Sequence, residues 1–155
     1  MFTRLPTNAE GMLIESGDEG EETRTAPAGR ADPPRRCILL VEDDFLVGME
    51  VEAGLEEAGY EVAGIATTTE EAVAIAAARR PALVVMDIRL AGDRDGVDAA
   101  LEIFRTQGIR SLFASAHGDA EVRARAEAAR PLGWVAKPYR VETLLAAVAR
   151  ALDEI

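Results

Sequence analysis

The run Cys37-Ile38-Leu39-Leu40-Val41-Glu42-Asp43-Asp44 decides the fold. Five apolar residues end abruptly in three carboxylates. An uninterrupted apolar run of this length reads as a strand covered on both faces, as in a parallel sheet. Helical spacing follows at once. Val47, Val51 and Leu55 fall on one face over Phe45 to Ala58, and Gly59 is the stop. Asp44, just before that helix, reads as its N-cap.

The same unit recurs along the chain. Glu61 to Ala66 is a second strand. Thr67-Thr68-Thr69-Glu70-Glu71 carries Thr-x-x-Glu twice, a capping-box start for a helix that ends at Arg79-Arg80-Pro81. Leu83-Val84-Val85-Met86 is a third strand, followed by a helix from about Gly96 to Thr106, with Asp95 and Asp98 as its capping residues. Ser111-Leu112-Phe113-Ala114 is a fourth strand, and Ala120 to Ala129 an Ala- and Arg-rich helix closed by Pro131. Gly133-Trp134-Val135-Ala136 is the fifth strand. A last helix starts at Val141 and turns Leu144, Leu145, Val148, Leu152 and Ile155 toward the core. Five strand–helix units with connections of this length predict an α/β fold: a (βα)5 doubly wound, five-stranded parallel sheet with right-handed crossovers. The expected strand order is 2-1-3-4-5, a flavodoxin-like arrangement.

Residues 1–35 differ from the rest, being rich in Glu, Gly, Thr, Ala and Pro, with Met12-Leu13-Ile14 as the one apolar run. Such a segment buries too little to offset its ordering entropy, so a disordered N-terminal tail is expected ahead of a domain over 36–155. The chain has 155 residues, 48% of them hydrophobic, enough for one domain with a proper core. Its net charge of −11 argues against nucleic-acid binding, because an acidic surface repels phosphates. Cys37 is the single cysteine, which precludes an internal disulfide. The N-terminus lacks a basic-then-apolar signal layout and no run is long enough to span a membrane, so a cytoplasmic location is expected.

Ligands of an open parallel sheet bind beyond the carboxyl ends of its strands. Glu42, Asp43 and Asp44 follow the first strand, Asp87 the third, Ser115 the fourth and Lys137 the fifth. In the expected order these four ends converge on one crevice. Carboxylates packed at about 4 Å repel by roughly 4 kcal/mol per pair at an effective dielectric of about 20. Such a cluster holds protons or binds a cation, and oxygen ligands with open positions suit magnesium. Lys137 is the one lysine among 17 basic residues. A compact ammonium suits a crowded phosphoryl site where a broad guanidinium does not. A carboxylate nucleophile, a cation site, an ammonium and a hydroxyl are the parts needed to form and hold an aspartyl phosphate.

These motifs, LLVEDD, VVMDIRL, FASA and VAKPY, stand in order at four strand ends. From about Arg36 onward the chain resembles the receiver domain of two-component response regulators, in the stand-alone, single-domain, CheY-like form. The resemblance implies a phosphoacceptor switch protein that takes a phosphoryl group from a histidine kinase or histidine phosphotransfer protein, and catalyses only its own phosphorylation and dephosphorylation. It implies Asp87 as phosphoacceptor. Glu42 and Asp43 are then the acidic pair for Mg2+, with Asp43 the more direct ligand, and the Arg89 backbone carbonyl completes the protein ligands. Ser115 is the switch hydroxyl and Lys137 the phosphoryl-binding lysine. The bond before the proline matching Pro138 is often cis in this family. Output would pass to a partner protein through the fourth helix, fifth strand and fifth helix; dimerisation through that face is left open.

Three departures from the family pattern stand out. Trp134 occupies the position of a switch Tyr or Phe; its bulk argues against full inward burial and leaves two readings, an outward partner contact or plain packing. The loop Ile88 to Asp95 has Leu90-Ala91-Gly92 where a proline is common, and is one residue longer. Arg89 and His117, two residues past Asp87 and Ser115, flank the route of attacking water; His117 otherwise reads as a solvated loop residue. Arg123 and Arg125 read as a solvated helix face. Two other functions compete: a pseudo-receiver that binds without being phosphorylated, and a haloacid-dehalogenase-type phosphatase. The latter places its nucleophile after the first strand, in an Asp-x-Asp arrangement that this chain lacks there.

Overall fold

The computed structural model describes residues 36–116 and 120–155. The readings on the N-terminal segment and on His117 lie outside those residues. Five strands and five α-helices alternate: β1 (Cys37–Val41), α1 (Phe45–Glu57), β2 (Glu61–Ala66), α2 (Thr69–Arg79), β3 (Leu83–Asp87), α3 (Gly96–Gln107), β4 (Ser111–Ser115), α4 (Ala120–Ala126), β5 (Gly133–Ala136) and α5 (Val141–Asp153). All pairings are parallel and the order is β2-β1-β3-β4-β5, as the sequence predicts.

Period-two alternation divides the sheet's side chains between two layers. Leu39, Val41, Val84, Met86 and Phe113 pack with α2, α3 and α4. Ile38, Leu40, Leu83, Val85 and Leu112 pack on the other face with Val51 and Leu55 of α1 and Leu144, Val148 and Leu152 of α5. Both faces are therefore covered, which is why the strands read as continuous apolar runs.

Helix starts follow the local chemistry. Asp44 Oδ1 accepts from the Leu46 and Val47 amides at 3.1 and 3.2 Å. Thr68 Oγ1 accepts from the Glu71 amide at 3.1 Å, while Glu71 reaches back to the amide and hydroxyl of Thr67 rather than to Thr68 itself. Asp95 and Asp98 form a full capping box at the start of α3.

The fourth helix differs from expectation. It is α-helical only over Ala120–Ala126 and tightens into a 3-10 turn over Glu127–Ala129. Pro131 is the reason: it disfavours the helical region at Arg130, which takes the left-handed conformation (φ 51°) and donates to Glu127. Arg80 before Pro81 ends α2 the same way, with φ 46°.

Candidate phosphoacceptor site

The carboxyl ends of β1, β3, β4 and β5 open into one cleft of about 420 Å3, lined by Glu42, Asp43, Asp87, Arg89, Ser115 and Lys137 among others. The functional side chains sit at the strand ends themselves. Ladder pairing continues through Asp87 opposite Ala114 and through Ser115 opposite Ala136, so β3 and β4 each run one residue further than their apolar pattern. Rigid strands thus hold both residues.

Glu42, Asp43 and Asp87 are the one group of three metal-capable side chains among the described residues; one oxygen from each lies within 4.8 Å of the others. Glu42 and Asp87 are buried (3% and 6% exposed) whereas Asp43 is exposed. Lys137 Nζ lies 3.2 Å from Glu42 Oε2 and 3.2 Å from Asp87 Oδ2. Glu42 also accepts from the Asp44 amide at 3.1 Å.

Burial raises the Glu42 carboxyl above its ordinary value. The Asp44 amide opposes that shift, and the nearby Asp87 charge reinforces it. Burial alone would lower the Lys137 ammonium, but the Asp87 and Glu42 charges outweigh it and hold the group above its ordinary value. Tyr139, which the sequence reading left aside, packs beside the site on the α1–α5 face. Burial first, then the Glu42 charge, pushes its phenol up to about 12. Its position two residues after the lysine was the available signal. The Lys137–Pro138 bond is cis.

Gly96 is a second residue the sequence did not single out. A Cβ there would lie 1.8 Å from the Asp87 carbonyl oxygen, and the Gly96 amide donates to Ile88 at 2.7 Å. Only glycine lets α3 start this close to the end of β3. The intervening loop is pinned midway, where the Ala91 amide donates to Thr67 at 3.1 Å.

The structure bears on two readings of α4 and β5. Trp134 is half-buried, in line with packing rather than with an outward position. Its ring stacks on Phe113 with centroids 4.6 Å apart and planes 18° from parallel, and the Arg123 guanidinium covers its other face at 4.6 Å. Arg125 is not a merely solvated arginine. It grips both Asp95 oxygens at 2.9 and 3.2 Å and reaches Asp98 at 3.3 Å. The helix therefore uses its arginines to hold β5 on one side and the start of α3 on the other.

Residues 38–149 match the family Response regulator receiver domain. The chain belongs to that family. The receiver is 35% identical over 131 residues to the transcriptional regulatory protein PdtaR of Mycobacterium tuberculosis, covering 83% of this chain and 63% of PdtaR. It is 34% identical over 116 residues to the phyllosphere-induced regulator PhyR of Methylorubrum extorquens, covering 74% of this chain and 43% of PhyR. The receiver thus spans less than two thirds of either relative. A solved CheY-like receiver domain protein from Methanospirillum hungatei superposes with a TM-score of 0.73 at 26% identity, covering 78% of this chain and 96% of that one. The signal receiver domain of a modulated diguanylate cyclase from Desulfovibrio desulfuricans gives 0.71 at 32% identity, with the same coverage of each chain. The receiver is a component of two-component signalling. Among the described residues no helix is long and apolar enough to cross a membrane.

Proposed function

We propose that this receiver, built from residues 36–155, is a cytoplasmic phosphoacceptor switch charged on Asp87 by a histidine kinase or histidine phosphotransfer protein. The observation that carries the reading is the convergence of three carboxylates and one ammonium: Lys137 Nζ stands 3.2 Å from Asp87 and 3.2 Å from Glu42, with Asp43 beside them. An all-oxygen set with an exposed member fits Mg2+, held by Glu42, Asp43, Asp87 and the Arg89 carbonyl. When bound, Mg2+ neutralises phosphoryl charge and offsets the repulsion within the cluster.

In the transfer step an Asp87 carboxylate oxygen attacks phosphorus. The O–P bond forms as the donor's P–N bond breaks, and the imidazole leaves with the electron pair. Lys137 moves its attraction from the carboxylates to a phosphoryl oxygen, and the Ser115 hydroxyl donates to another. The donor approaches over α1, where Phe45, Leu46 and Met49 stand exposed in the helix that follows Asp44 of the cleft lining. The added charge of about −1.5 to −2 biases α4, β5 and α5, with Trp134 moving as Ser115 moves, and a partner protein reads that face.

The test is intact mass after incubation with acetyl phosphate and magnesium. One added phosphoryl group is expected, dependent on magnesium and absent in Asp87→Asn. Magnesium binding with no added mass, from acetyl phosphate or from any kinase, would favour a pseudo-receiver instead.

A further inference from the structure

Residues 88–95 carry the chain from Asp87 past Arg89 to the start of α3. Five consecutive residues around the start of α2, Thr67-Thr68-Thr69-Glu70-Glu71, hold that loop, and none of them lines the cleft. The Thr67 carbonyl accepts from the Ala91 amide at 3.1 Å, and Thr68 pairs with Ala91 in a parallel bridge. The hydroxyl of Thr69, a fully buried residue, donates to the Asp95 carbonyl at 3.0 Å. The Glu70 carboxylate faces Arg94 at 3.6 Å. Glu71 turns back and accepts from the amide and the hydroxyl of Thr67, at 2.8 and 3.0 Å. Those two bonds hold its carboxyl below the ordinary range.

Helix capping accounts for Thr68, whose hydroxyl takes the Glu71 amide, and for no other member of the turn. A capping-box Glu71 would return to the Thr68 amide; it goes instead to Thr67, the residue whose carbonyl holds the loop. The Asp95 carbonyl already accepts from the Ala99 amide at 3.1 Å, so it is satisfied without the Thr69 hydroxyl. A proline at Ala91 would stiffen the loop but has no N–H to give Thr67. Gly92, with φ 94°, leaves the segment pliant, so its rigidity comes from outside. From this we infer that the turn is a positioning clamp for the acceptor site: it presets the loop that bears Arg89, and so sets how tightly the cleft holds Mg2+. That role rests on the proposed Mg2+ set, in which the Arg89 carbonyl is one ligand. Anchors at Ala91 and Asp95 follow Arg89, and the β3 ladder through Asp87 precedes it. A small cation that demands near-octahedral geometry gains from a carbonyl held in place and little from one that wanders. Groups behind the ligands tune a metal site in this way. Thr67, Thr69 and Glu71 are positioning residues, since they act through the loop.

Mg2+ would be titrated into the full chain by calorimetry, for the parent, Thr69→Val, Glu71→Ala and Thr69→Ser. Thr69→Val keeps the side-chain shape and removes the hydroxyl; Thr69→Ser restores it. Affinity is expected to fall about fivefold or more in Thr69→Val and Glu71→Ala, and to return toward the parent in Thr69→Ser. Phosphoryl uptake from acetyl phosphate should fall at low Mg2+ and recover at saturating Mg2+. In EDTA, with no metal or phosphoryl donor present, amide exchange over residues 88–95 should quicken in the two weakened variants. Unfolding temperatures are taken alongside, because a merely structural turn would lower them and leave Mg2+ affinity unmoved. Parent-like affinity in Thr69→Val and Glu71→Ala, parent-like exchange of the loop, or a loss that Thr69→Ser does not reverse would overturn the inference. A parent that binds no Mg2+ defeats the proposed ligand set and the clamp with it. A parent that binds Mg2+ and takes up phosphate, with variants that match it, defeats the clamp and spares the site.

Discussion

Two groups of carboxylates lie at opposite ends of one loop, and their surroundings differ. At Asp87, three carboxylates share one ammonium in a cleft. At Asp95, two carboxylates share the Arg125 fork, and each also accepts from a backbone amide of the α3 start. Burial pushes Glu42 up. Burial pushes Asp95 up too, but the Arg125 hydrogen bond and the Asp98 amide outweigh it and leave that carboxyl below its ordinary range. The same residue type thus stands crowded where positive charge falls short and paired where donors suffice. Gly96 joins the two, since it follows the Asp95 cap and lies against the Asp87 carbonyl.

The largest effect is expected from breaking that junction. Gly96→Ala would drive a methyl into the Asp87 backbone and cost more than about 2 kcal/mol in urea unfolding, with loss of phosphoryl uptake by mass. A variant as stable and as readily phosphorylated as the parent would show that the two ends are not rigidly joined.

The contrast itself is tested by making one change at both ends. In EDTA, Asp87→Asn should raise the unfolding temperature, by a gain of about 1 kcal/mol, because a crowded charge is removed. Asp95→Asn should lower it by a similar amount, because a paired one is lost. Added magnesium should then stabilise the parent and not Asp87→Asn. Changes of the same sign at both positions would remove the distinction.

Acid should expose the saturated end separately. Because Asp95 is held below its ordinary value of 3.8, its contribution to stability is complete above that value and disappears as pH falls through its lower folded-state value. The stability gap between parent and Asp95→Asn should therefore hold steady at neutral pH and close below 3.8. Arg125→Gln should cost about 1 kcal/mol at neutral pH, with the same acid dependence. A gap that widens in acid would contradict the pairing.

The smallest effect is expected at a polar group with neither role. The Ser111 hydroxyl is buried on β4 with no hydrogen-bond partner among the described residues. Ser111→Ala should leave stability within about 1 kcal/mol of the parent, on the favourable side, in denaturant titration.

How much of this was legible beforehand follows from the range of each interaction. The sheet was written in continuous apolar runs, and its order brought the carboxylates of two strands together with a lysine from a third. Caps such as Asp44 and Asp95 were legible because their partners lie two or three residues away. Arg123 and Arg125 were not: a solvated arginine and one clasping a helix start 30 residues away look identical in sequence. Trp134 stayed open between packing and partner contact because its size was weighed without Phe113 beneath it and Arg123 above it. Gly96 carried no periodic signal, since its role is the space it leaves empty.

The lone lysine has a consequence for handling the protein. With 16 of 17 basic side chains guanidinium, Lys137 holds the chain's sole ε-amine. An amine-selective acylating reagent therefore has one side-chain target, and that target is the ammonium that stands between Glu42 and Asp87 in the cleft. Its modification would be a single mass increment. The extent of labelling becomes a footprint of whether the cleft is filled, read without mutating any residue.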